Sequence, residues 1–187
     1  YREDDVMGGY DPYSSSKGCT ELITSSFRDS FFNAKNYKKH QIALASVRAG
    51  NVLGGGDWSE NRLIPDIIRS MTNNLPVEIR NPGATRPWQF VLEPLSGYLL
   101  LAEKLWKYGP KYAEGWNFGP NNKDIKPVSY IIKKFMQLWK GDINFRSNQK
   151  INLHETNYLK LDCTKAKTKL GWEPKMNLDL ALEYTVE

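Results

Sequence analysis

The chain has 187 residues, 40% hydrophobic and 12% aromatic, which is enough to bury a sizeable core. No apolar run approaches a membrane span and no secretory leader opens the sequence; two cysteines, Cys19 and Cys163, are too few for a disulfide framework and favour a reducing, cytoplasmic setting. The formal net charge is +5, but outside Lys160, Lys165, Lys167, Lys169 and Lys175 the positive charges are dispersed, so neither nucleic acid nor a membrane surface is expected as a partner.

The first predicted element is a helix opening at Asp11-Pro12-Tyr13-Ser14-Ser15-Ser16-Lys17-Gly18. Asp11 is a good N-cap and Pro12 a good first helical residue, because proline's missing N–H costs nothing there. Tyr13 and Lys17 then stand four residues apart and project from one face. A phenol ordinarily titrates near ~10, and a cation about 4 Å away at an effective dielectric of ~20 is worth roughly 4 kcal/mol, enough to draw it toward neutrality, where a general base is most useful. A surface tyrosine beside a solvated lysine has the same spacing. The proline-marked helix start and the small residues Ser14, Ser15, Ser16 and Gly18, which leave room for a flat ligand, favour the functional reading. Cys19, Leu22, Ile23, Phe27 and Phe31 keep a helical period to about Asn33, with Cys19 expected to be a packing residue.

This opening resembles the active-site helix of the extended short-chain dehydrogenase/reductases, specifically the nucleotide-sugar epimerases and dehydratases. Tyr1-Arg2-Glu3-Asp4-Asp5, Gly8-Gly9-Tyr10-Asp11-Pro12-Tyr13 and several later stretches extend the resemblance over essentially the whole chain. In that family the helix also packs against its counterpart in a dimer, although the core of a monomer could absorb the same face.

Ile42 to Val47 is an apolar run expected to form a strand buried on both faces of a parallel sheet. It feeds the stretch from Arg48 through Asn51 to Gly54-Gly55-Gly56-Asp57-Trp58. A glycine-rich stretch past a buried strand is where doubly wound sheets place ligands, though it could equally serve only to turn the chain. By resemblance, Arg48 and Asn51 lie beside the cofactor, and Asn51 also near substrate phosphate. Asn61 to Asn74 is a predicted helix with Pro65 in its first turn, where proline is tolerated; the resemblance turns Arg62 and Leu63 toward the nucleotide. Val77 to Arg80 alternates as a strand, and Asn81-Pro82-Gly83 is a turn.

In Ala84-Thr85-Arg86-Pro87-Trp88, arginine offers a planar fork for phosphate oxygens and tryptophan a face for sugar or base. An arginine snorkelling beside a structural tryptophan reads the same. The family usually shows Arg-Asp-Trp here; Arg86-Pro87-Trp88 is a variation associated with members acting on CDP-glucose. Pro94 to Tyr108 is a predicted helix stopped by Gly109, with Leu95, Leu99, Ala102 and Leu105 inward. Gly115 to Gly119 is expected as a last short strand of the large sheet; Asn117 resembles a substrate-contacting residue and could equally cap the next turn. Pro127 starts a helix with Val128, Ile131, Ile132, Phe135, Met136 and Trp139 as core. Asp142 to Ser147 and Leu159 to Asp162 are predicted strands, and Tyr158 before the second is placed by resemblance near the nucleotide. His40 and His154 are far apart with no cysteine or carboxylate cluster at metal-ligand spacing, so no metal site is expected. Leu170-Gly171-Trp172-Glu173-Pro174 closes a short helix, and a last helix begins at about Leu178.

The fold class expected is α/β: the carboxyl-terminal part of a Rossmann-like doubly wound parallel sheet plus a small α/β substrate-binding domain. The expected division gives 1–54 and 93–119 to the NAD-binding domain, 55–92 and 120–187 to the nucleotide-sugar domain. No glycine fingerprint follows a strand, and Gly54-Gly55-Gly56 has the wrong spacing. With the resemblance, the chain reads as a carboxyl-terminal piece, inactive by itself and not retaining NAD. The resemblance implies an NAD-dependent 4,6-dehydratase acting on CDP-glucose, with Tyr13 as base, Lys17 supporting it and holding the nicotinamide ribose, and a homodimer or higher homo-oligomer as the assembly. From the residues alone, a 4-epimerase, a dehydratase of another nucleotide sugar, or a silent binding module stays open.

Overall fold

The structure, a computed structural model, describes residues 1–139, 145–147 and 157–187. It divides into two compact units, Tyr1–Ala49 with Leu92–Gly119 and Leu161–Pro174, and Gly50–Val91 with Pro120–Lys160 and Lys175–Glu187. This departs from the expected division at 50–54, which fall in the second unit, and at Leu92 and 161–174, which fall in the first.

In the first unit, Asp11 in an extended conformation caps helix α1 (Pro12–Ser30). Its carboxylate accepts the Ser14 N–H at 3.0 Å while Ser14 Oγ accepts the Asp11 N–H at 3.3 Å, a reciprocal box that fixes the helix start. A short helix α2 (Tyr37–His40) leads to strand β1 (Ser46–Ala49), which pairs in parallel with Gly115–Phe118. The strand expected over 42–47 therefore starts only at Ser46, and Val47 is 39% exposed rather than buried. Among the described residues β1 and Gly115–Phe118 form a two-stranded sheet.

Within α1 only Gly18 is buried. The apolar stripe is open: Leu22, Ile23, Phe27 and Phe31 are 49–67% exposed, and Cys19 is exposed rather than packed. Nothing described in this unit absorbs that face.

The unit's core is instead built from Leu101, Trp116, Phe118, Cys163, Ala166, Leu170 and Trp172. Leu101 comes from a helix over Leu92–Tyr108, whose buried residues are Glu93, Pro94, Gly97 and Leu101. Of the predicted inward stripe Leu105 packs against this core, whereas Leu95 and Leu99 are 43% and 74% exposed and Ala102 is exposed. Gly97 decides the packing face: a Cβ there would lie 2.3 Å from the Phe118 ring. Gly109 ends this helix at φ +58°. The Ala166–Leu170 turn ends at Gly171, φ 72°, as glycine permits.

In the second unit, β2 (Asn51–Leu53) pairs in parallel with Thr85–Phe90, which pairs antiparallel with Ile125–Pro127. Helix α3 (Leu63–Thr72) leads to β3 (Val77–Ile79), which pairs in parallel with Phe145–Ser147. In chain order the Thr85–Phe90 strand is β4, Gly115–Phe118 is β5, Ile125–Pro127 is β6 and Phe145–Ser147 is β7; the Leu92–Tyr108 helix is α4. Helices α5 (Val128–Leu138) and α6 (Leu178–Val186) complete the unit. Ile64, Ile67 and Met71 of α3, Ile131, Ile132 and Phe135 of α5, and Leu178, Ala181 and Leu182 of α6 close one core over Leu53, Val77, Ile79 and Trp88. The helical period of α3 and α5 is fulfilled apart from Met136, which is 37% exposed.

No strand forms over Leu159–Asp162; Tyr158 makes a single parallel bridge to Thr85. The chain leaves one compact unit for the other at Lys160–Leu161, inside that expected strand, so the pairing does not propagate. The amino-terminal part of the strand expected over Asp142–Ser147, and His154, lie outside the described residues.

Candidate active site

The capping box sets Tyr13 in the first turn of α1 with Lys17 one turn on, and the structure brings the two together. The Lys17 ammonium lies 5.4 Å from the centroid of the Tyr13 ring, over its face. Tyr13 is 70% exposed and Lys17 is exposed, so both are open to a ligand. Gly18 lies against the backbone of Gly8, where an added Cβ would stand 3.2 Å from the Gly8 nitrogen, so the small residue lets the amino-terminal segment run close beside the helix.

Arg48 does not stand free as a cofactor ligand. Its Nε donates to Glu21 Oε1 at 2.8 Å and its Nη1 to the Glu3 carbonyl at 3.3 Å. Glu21 is the residue that motif reading misses. Its signal was available, since Tyr13, Lys17 and Glu21 continue one four-residue spacing. Glu21 Oε2 also accepts the Ser46 hydroxyl at 2.7 Å. The hydrogen bond from Arg48 foremost, joined by that from Ser46, holds the Glu21 carboxyl below its ordinary range against the opposing effect of burial.

Asn117 is 1% exposed; its donors are taken within its own unit, while its buried Oδ1 has no hydrogen-bond partner among the described residues. Its Nδ2 donates to the carbonyls of Tyr1 at 3.1 Å and Asp162 at 3.2 Å, and its backbone N–H to Glu3 Oε1 at 2.9 Å. These bonds fix the amino-terminal segment to β5. An open concavity of about 710 Å³ lies nearby, lined among others by Arg2, Glu114, Asp162 and Lys165. Two ion pairs lie along it, Arg2 with Asp162 at 3.1 Å and Lys165 with Glu114.

The remaining sequence-predicted residues lie in the second unit. Asn51 on β2 stands opposite Trp88 on β4. Trp88 is 5% exposed within the core, and its indole N–H donates to the Lys126 carbonyl at 2.9 Å. That is the position of a structural tryptophan, without an open ring face for a sugar or base. Arg86 is buried, with Nη1 donating to the Thr85 carbonyl at 3.0 Å. Arg62 is the exposed N-cap residue of α3, and Leu63 behind it packs against the core. Tyr158 is 60% exposed. Among the described residues, no group of three His, Cys, Asp or Glu side chains is placed to hold a metal ion.

The exposed phenol and ammonium on one helical face fit the ribose and nicotinamide side of a dinucleotide, which needs donors and a flat approach rather than a closed pocket. Arg48, committed to Glu21, fits that role less well than the resemblance implies.

The chain is 57% identical over all 187 of its residues to CDP-glucose 4,6-dehydratase of Salmonella typhimurium (strain LT2), covering 52% of that protein. It is 23% identical over 184 residues to dTDP-glucose 4,6-dehydratase of Haemophilus influenzae, covering 94% of this chain and 51% of that one. It thus spans about half the length of these relatives. No protein-family model matches it. Among solved structures, UDP-N-acetylglucosamine 4-epimerase from Methanobrevibacter ruminantium M1 superposes with a TM-score of 0.80 at 18% identity, over 100% of this chain and 56% of that one. The dTDP-glucose 4,6-dehydratase from Bacillus anthracis, solved with NAD, gives 0.72 at 21% identity, over 100% and 54%. These structures share the Rossmann-like α/β fold. Over its whole length the chain is thus similar to a nucleotide-sugar dehydratase, and it shares the fold of nucleotide-sugar epimerases and dehydratases of known structure.

Proposed function

We propose that the protein acts as a CDP-glucose 4,6-dehydratase, converting CDP-glucose to CDP-4-dehydro-6-deoxyglucose and water. The observation that carries this is the 57% identity over all 187 residues, a span that includes the Asp-Pro-Tyr-Ser-Ser-Ser-Lys helix. In this reading the first unit supplies the cofactor side and the second the nucleotide-sugar side. The protein works in the cytoplasm as a homo-oligomer, and no described helix is long and apolar enough to cross a membrane.

NAD, when bound, would take a hydride from C4 of the sugar and return it at C6, so none is consumed. Tyr13 and Lys17 would hold its nicotinamide ribose. Tyr13 would take the proton of the C4 hydroxyl, and Lys17 stands beside it with its ammonium 5.4 Å from the ring centroid. Oxidation at C4 makes the C5 proton acidic, and water then leaves across C5–C6. Arg86, with Arg62 at the start of α3, is the cationic candidate of the second unit for the diphosphate.

In the native protein, Tyr13→Phe removes the base and lowers turnover by about 10²–10⁴-fold, the usual worth of a general base, with CDP-glucose binding kept within a few-fold. The 4-keto product is followed by its ultraviolet absorbance in alkali. Near-normal turnover of that variant rejects Tyr13 as the base, and a native protein inert toward CDP-glucose rejects the assignment.

A further inference from the structure

We propose that Asn117 is a positioning residue rather than a contact for substrate: the two hydrogens of its amide knot residues 1–3 to β5 and to residues 161–162, and so set the run of backbone that carries Tyr13. The catalytic consequence rests on the dehydratase reading; the knot itself does not.

Asn117 sits within β5 and is 1% exposed. Its Nδ2 donates to the Tyr1 carbonyl at 3.1 Å and to the Asp162 carbonyl at 3.2 Å. Those two carbonyls settle which way the amide is turned, since its oxygen in place of Nδ2 would face two other oxygens. Oδ1 is itself buried and, among the described residues, has no hydrogen-bond partner. A buried acceptor left without a donor costs free energy, so the side chain is held in place for its donors. A residue that binds substrate would turn its spare polar atom toward a ligand; here the spare atom is enclosed.

Three more bonds tighten the same knot. The Asp162 N–H donates to the Tyr1 carbonyl at 2.9 Å, the Asn117 N–H donates to Glu3 Oε1 at 2.9 Å, and Arg48 Nη1 donates to the Glu3 carbonyl at 3.3 Å. Residues 1–3 are thus bonded to both strands, β1 and β5, and to Asp162, all within the first unit. The segment then turns locally, with the Arg2 N–H donating to Asp5 Oδ2 at 2.8 Å, and reaches the start of α1. There Gly8 lies against Gly18, the Gly9 carbonyl accepts the Ser15 hydroxyl at 3.2 Å, and Asp11 closes the cap with Ser14. The segment is held at both ends, and Tyr13 stands two residues beyond the cap. Loosening the knot therefore reaches Tyr13 along the backbone, although Asn117 touches no reacting atom. Misplacing a reacting group by about 1 Å can cost ~10²-fold in rate.

Asn117→Asp keeps the shape of the side chain and removes both donors, which makes it the sharpest test. Hydrogen–deuterium exchange on the native protein reads the knot without any turnover. In Asn117→Asp the amides of residues 2–18 and of Asp162 exchange about tenfold faster or more, while those of α4, in the same unit, stay within about twofold. Glu3→Ala removes one bond of the knot and gives a smaller change in the same direction, deciding the matter should Asn117→Asp fail to fold; Glu3→Gln, which keeps an oxygen for the Asn117 N–H, recovers it. With CDP-glucose as substrate, Asn117→Asp lowers kcat per folded molecule roughly 10–100-fold at little-changed KM, the folded fraction being taken from near-ultraviolet circular dichroism. Unchanged exchange over 2–18 overturns the proposal, as does exchange that rises equally in α4, which would make Asn117 a general stabiliser. A raised KM at normal kcat marks a substrate contact and overturns it as well. Faster exchange over 2–18 with normal kcat and KM overturns the link to catalysis. A native protein without turnover refutes the dehydratase reading instead, and the exchange measurement then decides the knot alone.

Discussion

Replacing Gly97 by alanine opposes two effects of known sign. Glycine in a helix interior is worse than alanine by ~1 kcal/mol, so at an open position of α4 the change would stabilise. At Gly97, however, the added methyl meets Phe118 Cδ1 at 2.3 Å and Cε1 at 2.4 Å. Carbon atoms rest at about 3.5–4.0 Å, so the ring would have to yield by more than ~1 Å. Phe118 is fully buried and cannot move freely, with Trp172 edge-on at 5.0 Å and Tyr98 at 5.5 Å between ring centroids. Overpacking a filled core costs ~1–3 kcal/mol, and this crowding puts the site near the upper end. Less the helix gain, Gly97→Ala should lose about 2 kcal/mol, or roughly 4–8 °C in Tm for a chain of this size. Urea denaturation followed by far-ultraviolet circular dichroism measures it. Gly55→Ala is the control, because nothing lies within 4 Å of its added Cβ, and it should be neutral or slightly stabilising. Pairing Gly97→Ala with Phe118→Leu should recover about 1 kcal/mol relative to the sum of the single changes. A Gly97→Ala protein as stable as the parent, or strict additivity with Phe118→Leu, would refute the argument that this glycine selects the packing face of α4.

The two thiols should behave oppositely toward a disulfide reagent at pH about 8. Cys19 on α1 is exposed and labels quickly; Cys163 is buried, its thiol pushed up to about 11 chiefly by that burial, and labels only on unfolding. Cys19→Ser then abolishes the fast phase, and a fast phase of two thiols in the parent would contradict the packing. Asp162 is held at about 2, below its ordinary 3.8, first by the Thr164 side chain, then by the Thr164 N–H at 2.8 Å, and further by Arg2. Because the folded value is the lower one, its stabilisation is present above pH 3.8 and is lost as the pH falls toward about 2. Urea midpoints measured across that interval should fall less steeply in Asp162→Asn than in the parent; equal slopes would show that the carboxylate contributes nothing there.

Local chemistry was legible in the sequence wherever one short segment settles the outcome. Asp11, Pro12 and Ser14 close their own cap, so the start of α1 and the shared face of Tyr13 and Lys17 follow from the order of residues. Gly171 and Gly109 end their elements for the same reason. What failed depended on partners distant in sequence. Leucines crowd α4 at 92, 95, 99, 100, 101 and 105, which allows more than one apolar stripe, and the choice fell to the one containing Gly97 because Phe118 needs its space. The α1 stripe has a regular period, yet periodicity says only that a face is apolar, not that the same unit covers it. Trp88 offered either a platform or a core ring, and the Lys126 carbonyl that takes its N–H, 38 residues away, placed it in the core.

Arg48 carries the same lesson into the chemistry. A guanidinium at the end of a strand in this family invites a phosphate or ribose as its partner, and nothing near it in the chain argues otherwise. Its partner is a carboxylate 27 residues earlier, already neutralising it. An arginine whose Nε and Nη1 are engaged at 2.8 and 3.3 Å within the protein has less to offer a ligand, while one that joins helix to sheet affects every group on that helix. Tyr13 and Lys17 are exposed, whereas Glu21, Ser46 and Arg48 are more sheltered and bonded to one another.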